Sequence, residues 1–185
     1  LTIDAGVTLK FDGNRGITIN GDLKAIGTST EPITFTSNAA VPARGDWRNL
    51  YFNNVDNACN LSGCILEYGG SANGTIYTNN NTSLWLAIHF SEISNSGSYG
   101  IYNTNTSYAS IGVVDIYDCD NYPVRTGAGS VGYMSAFSTF TGNTPNAIRV
   151  EQQTFGGVAT WLDHGIPYVI WNDITINDAT TLTLQ

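Results

Sequence analysis

Three acidic side chains, Asp115, Asp118 and Asp120, fall close together, and Arg125 follows them. Clustered carboxylates on one face are what a glycan-cleaving site requires, either to hold calcium or to act as acid and base at a set separation. A lyase would add an Arg or Lys as base. Here Asp115 and Asp118 flank Ile116 and Cys119, so they are expected to face solvent beside inward apolar residues. Their counterparts in neighbouring repeats are Glu92 and Thr139, so no adjacent turn supplies a matched set of acids. His89 and His164 are the only histidines, and neither sits in a Ser or Cys arrangement that suggests a nucleophilic triad. Gly69-Gly70 and Gly127-Ala128-Gly129 lack the lysine and following helix of a phosphate loop and read as turns. No catalytic residue, metal-ligand set or cofactor site is predicted, and the chain is not expected to be an enzyme.

Cys59, Cys64 and Cys119 lack the paired spacing of a zinc site. Cys59 and Cys64 are close enough in sequence for a small-loop disulfide, unless the strands that carry them hold them apart. Cys119 lies in an apolar strand pattern and is expected to be a buried small hydrophobe. Aromatic rings offer another chemistry, because exposed rings stack on sugars. Trp47, Tyr51, Trp85, Trp161 and Trp171 are the glycan-stacking candidates, against the alternative that they pack the core or cover the ends.

Composition narrows the classes. Of 185 residues 42% are hydrophobic, enough for a continuous core. Only 12% are charged, about half the usual share, with Asn, Thr, Ser and Gly in their place. The formal net charge of -8 leaves no basic stripe for nucleic acid and no attraction to an anionic membrane surface. No apolar run reaches the ~18 residues of a membrane-spanning helix. The chain starts at Leu1 rather than Met, which points to a start within a larger precursor or after a removed segment.

The elements that must carry these residues are strands. Ile, Val, Phe, Tyr and Thr alternate in short runs such as Val7-Thr8-Leu9-Lys10-Phe11, Ile17-Thr18-Ile19, Ile33-Thr34-Phe35-Thr36 and Leu50-Tyr51-Phe52, separated by Gly, Asn or Asp. No window of helical length carries a capped apolar stripe. The middle of the chain repeats: Phe90-Ser91-Glu92-Ile93-Ser94-Asn95, then Ile116-Tyr117-Asp118-Cys119-Asp120-Asn121, then Phe137-Ser138-Thr139-Phe140-Thr141-Gly142-Asn143. A period of about 21–26 residues suits one solenoid turn built from short strands. Stacking like over like predicts two inward ladders, Phe90/Ile116/Phe137 and Ile93/Cys119/Phe140. The Asn after each repeat is expected at a corner, where its amide bonds the backbone and tolerates a left-handed conformation.

Leu1-Thr2-Ile3-Asp4-Ala5-Gly6-Val7-Thr8-Leu9-Lys10-Phe11 resembles the opening of right-handed parallel β-helix repeat regions in large bacterial and archaeal secreted or cell-surface proteins. Ile17 to Thr28, Glu31 to Ser37 and Gly45 to Phe52 are similar to the turns that follow it there. The resemblance covers most of the chain. It implies an all-β fold, a right-handed parallel β-helix forming one domain over residues 1–185. It also implies an extracellular setting. The scaffold itself carries many functions.

The closing Leu182-Thr183-Leu184-Gln185 echoes the opening Leu1-Thr2-Ile3-Asp4. The expected role is a structural or adhesive repeat that meets neighbouring copies or flanking repeats head to tail in a rod or fibre. The alternative is a carbohydrate-active module, binding polysaccharide or cleaving it in lyase fashion. Neither role involves nucleic acid or insertion into a membrane.

Overall fold

A computed structural model describes residues 1–55, 58–80, 86–104 and 107–185. The chain winds as a parallel β-helix with three faces. Sheet I holds Thr2–Ile3, Lys24–Ile26, Cys59–Ser62, Leu86–His89 and Ala109–Ile111. Sheet II holds Thr8–Phe11, Ile33–Ser37, Cys64–Glu67, Ser91–Ser94, Val114–Tyr117 and Thr139–Thr141. Sheet III holds Ile17–Ile19, Leu50–Asn53, Gly74–Asn79, Tyr99–Asn103, Val124–Gly127, Ile148–Glu151 and Tyr168–Ile170. Successive strands in each sheet come from successive turns, and the pairings are parallel. Each strand is too short to stand alone, so the β-branched and aromatic residues that favour strands fold here by covering the turn beneath.

Beyond the fifth strand of sheet I the winding changes. A six-residue 3-10 helix, Ala128–Tyr133, precedes a single bridge from Met134 to Ile111. The last turns add Thr154–Phe155 paired with Thr175–Ile176, and Val158–Trp161 paired with Thr181–Leu184.

The turns are less uniform than the repeat suggests. Along sheet II the chain steps from Thr8 to Thr34, Ile65, Glu92, Asp115 and Thr139, that is by 26, 31, 27, 23 and 24 residues. The 31-residue step exceeds the expected 21–26 because residues 38–49, outside the sheets, add a loop to the second turn.

Alternation along each strand sends every second side chain inward. Sheet II contributes the column Leu9, Phe35, Leu66, Ile93, Ile116 and Phe140, whose members pair turn to turn. Sheet III contributes Ile17, Leu50, Ile76, Ile101, Val124, Ile148 and Tyr168. Sheet I contributes Ile3, Ala25, Leu61, Ile88 and Ile111, closed by Met134. These columns meet in one continuous core.

The column through sheet II corrects the expected ladders. Ile93, Ile116 and Phe140 form one column, whereas Phe90 and Phe137 point outward, 69% and 77% exposed. Cys119 is buried, but its backbone N–H is held by Asn143 Oδ1 at 3.1 Å just past the corner, so it belongs to a different position from Ile93 and Phe140. The sequence alignment of the middle repeat is out by three residues, because Ile116 and Cys119 have the same apolar spacing as Phe90 and Ile93.

The corner after sheet II fixes the register. Tyr68, Asn95, Asp118 and Gly142 occupy it in consecutive turns with φ of 64°, 52°, 56° and 66°. This left-handed conformation costs most residues roughly 1–2 kcal/mol and is easiest for Gly, Asn and Asp. Asn95 sits there as expected. Asn121 and Asn143 do not, their places being taken by Asp118 and Gly142. Asn143 is instead buried one residue later. Its Nδ2 donates to Ile116 O at 3.0 Å and to Asn146 Oδ1 at 2.9 Å.

Candidate functional site

The outer side of sheet III carries a stack of planar groups. Tyr51, Tyr77, Tyr102, Arg125 and Arg149 are aligned turn upon turn between inward residues. Tyr51 and Tyr77 lie 4.9 Å apart at 22°, and Tyr77 and Tyr102 lie 5.2 Å apart at 41°. The guanidinium of Arg125 continues the stack 4.0 Å above the Tyr102 ring, and that of Arg149 lies 3.9 Å from the Trp171 ring. Between the arginines, Glu151 Oε1 accepts from Arg149 Nε at 2.6 Å and lies 2.8 Å from Arg125 Nε as an ion pair, while Asn172 Nδ2 donates to Oε2 at 3.1 Å. The Glu151 side chain is only 4% exposed. One buried carboxylate therefore separates two cations that would otherwise repel across adjacent strands.

This stack decides what the aromatic candidates do. Tyr51 and Trp171 are its two end members, so most ring faces along it are already covered by neighbours rather than offered to a sugar. Trp171 is 53% exposed and keeps an open face. Trp47 is a core residue, 0% exposed, stacked on Phe11 at 4.3 Å with its Nε1 donating to Glu67 O at 2.8 Å. Trp161 is buried against Tyr168 at 5.2 Å. Both are corrected from stacking candidates to packing residues: Trp47 comes from the loop 38–49 into the core, and Trp161 ends a strand whose inward position it fills. Trp85 lies outside the described residues.

The cysteines are free, buried thiols. Cys59 and Cys64 lie on different sheets, on either side of the corner at Gly63, so of the two alternatives the strands hold them apart and each thiol makes separate contacts. Cys59 Sγ accepts from Leu23 N and donates to Gly21 O, both at 3.3 Å, and Cys64 Sγ lies 3.5 Å from Ala25 O. Burial pushes the Cys64 and Cys119 thiols up to about 12, and raises Cys59 less.

The acids sort by register. Glu92, Asp115 and Thr139 form one outward row on sheet II, and Thr139 Oγ1 donates to Asp115. Asp118 holds the left-handed corner, and Asp120 pairs with Arg44 across the surface. Among the described residues no group of three or more His, Cys, Asp or Glu converges as a metal site. The His89 ring lies over Gly112, where an added Cβ would sit 2.8 Å from its Cγ. His164 packs edge-on against Phe140 at 5.5 Å with both ring nitrogens shielded and unpaired, and burial lowers its pKa despite Asp163.

The corner between sheets I and II presents a different surface. Phe90 immediately precedes Ser91 and occupies the place held by Gly63 one turn below; the two have φ of 48° and 61°. A bulky residue in this conformation is an outlier that a buried ring would offset, yet this ring is exposed. A cleft of about 490 Å³ opens beside it, lined among others by Thr28, Ser29, Ser62 and Glu92. Beside the cleft, Gly27 and Gly63 let the backbones of adjacent turns approach closely. A Cβ on Gly63 would sit 2.6 Å from Gly27 O. Sequence reasoning missed this site because it placed Phe90 in the core.

In the last turn three apolar residues continue the inner columns. Ile170 stacks on buried Val150, Ile176 on Phe155 and Leu184 on Trp161, yet they are 49%, 45% and 68% exposed. No family model, curated protein or solved structure matches this chain.

Proposed function

We propose that this chain is a structural segment of a rod in a secreted or cell-surface protein, and that its end face docks a further turn. The supporting observation is the set of exposed inner positions on the last turn, Ile170, Ile176 and Leu184. Each continues a column of buried residues and is itself 45–68% exposed. Water satisfies the open strand edges there but not the apolar side chains. Their complement is a parallel rung that continues the same columns. The first turn, with Leu1 at 63% exposure and Thr8–Phe11 on an open sheet edge, has that form. A contact of this kind is heterologous and does not close, so repetition gives a rod. The low charge and the amide- and hydroxyl-rich surface support an extracellular setting. Sedimentation velocity tests the reading. The chain is expected to lengthen with concentration, and Leu184→Asp to remain monomeric. A native chain that stays monomeric across the same range contradicts it.

A further inference from the structure

Going beyond the rod reading, we propose that the cleft beside Phe90 binds a neutral hexose polymer running along the helix axis. The first ground is the residue itself. Its corner demands a left-handed backbone, which Gly63 supplies one turn below without strain, yet a phenylalanine stands there although its ring contributes little to the core. The nearest aromatic ring, His89, touches it edge-on with centroids 6.4 Å apart. The ring is left free to meet the apolar face of a pyranose.

The second ground is the lining. Thr28, Ser29 and Ser62 supply hydroxyl groups and Glu92 a carboxylate, which exchange hydrogen bonds with sugar hydroxyls. Among the described residues that line the cleft, Glu92 is the only charged one. With a formal net charge of -8 on the whole chain, this excludes polyuronate and sulfated chains and fits a neutral glycan. The volume of about 490 Å³ lies in the range of small-ligand sites.

The third ground is the recurrence of exposed apolar side chains along one column. Ser91 pairs with Val114 and Asp115 with Thr139, so Phe90, Val113 and Phe137 occupy the same corner in consecutive turns. They are 69%, 36% and 77% exposed. The two phenylalanines are two rungs apart, roughly 9.6 Å along the axis. An extended polymer lying parallel to the rod meets both; a single small molecule meets one.

Calorimetric titration with cellohexaose, mannohexaose and maltohexaose tests this, with tetragalacturonate as the acidic comparator. Phe90→Gly is the informative variant, because it preserves the left-handed corner and removes only the ring. At least one neutral hexasaccharide is expected to bind. Its affinity is expected to fall about ten-fold or more in Phe90→Gly, without a drop in melting temperature, and by a smaller factor in Glu92→Gln. Tetragalacturonate is expected not to bind. The proposal is overturned if no neutral hexasaccharide binds at millimolar concentration, if binding survives Phe90→Gly, or if tetragalacturonate binds as tightly. A side-by-side dimer that Phe90→Gly dissolves would assign the column to protein contact and overturn it equally.

Discussion

Replacing Ile116 by alanine tests the register on which every placement of a side chain rests. Ile116 is fully buried between Ile93 on one turn and Phe140 on the next. The change removes three carbon groups, worth about 2.4 kcal/mol of transfer free energy at ~0.8 kcal/mol each. The column is held by ladders above and below and closes poorly over the gap, so a cavity contribution raises the cost to about 3–4 kcal/mol. For a chain of this size, with roughly 2–4 °C lost per kcal/mol, the melting temperature falls by roughly 6–16 °C. Phe137→Ala is the matched control. The ring is 77% exposed, so its loss changes stability by about 0.5 kcal/mol or less. Urea titration followed by circular dichroism reads both variants. Equal destabilisation of the two would refute the column Ile93–Ile116–Phe140 and restore the alignment that pairs Ile116 with Phe137.

Four further outcomes follow from individual contacts. Asn143→Ala strands the Cys119 N–H and the Ile116 carbonyl and is expected to cost about 2–4 kcal/mol in the same urea titration. Glu151→Gln leaves two guanidiniums facing each other and is expected to cost about 3 kcal/mol, with a larger loss at low salt than at high salt. His164 is held neutral by burial, so the native state takes up its proton at lower pH than the unfolded chain. Stability is therefore expected to fall as pH drops below the ordinary histidine value of 6.5, and His164→Leu is expected to flatten that slope in thermal melts between pH 7 and pH 5. The Cys64 and Cys119 thiols stay protonated up to about 12 in the native state, whereas the unfolded thiols ionise near 9. Stability is expected to decline from pH 9 upward, and a thiol reagent at pH 8 is expected to label these two cysteines only after unfolding.

The strands were legible because their apolar residues alternate, and Ile33-Thr34-Phe35 or Ile17-Thr18-Ile19 admits one reading only. The stacking of one turn on the next was harder. Around Ile116 and Cys119 two alignments both place apolar residues over apolar ones, and hydrophobicity does not choose between them. The choice is made by the corner, where Tyr68, Asn95, Asp118 and Gly142 share a left-handed backbone that Tyr does not advertise and that Asp120 and Asn121 offer as readily as Asp118. The outer stack did leave a trace: Leu50-Tyr51-Phe52, Ile76-Tyr77-Thr78, Ile101-Tyr102-Asn103, Val124-Arg125-Thr126 and Ile148-Arg149-Val150 each put a planar side chain between two inward ones. Unequal loops between these runs hide the period. The exposure of Phe90 had no signal in composition, since a phenylalanine next to a strand reads as core until its φ is known.

Electron cryomicroscopy of the concentrated chain tests the rod most directly. The account predicts rods in which parallel rungs continue across each junction at a spacing of roughly 4.8 Å. Isolated particles of one copy, or copies joined side by side with the end faces of Ile170, Ile176 and Leu184 left open, would contradict it.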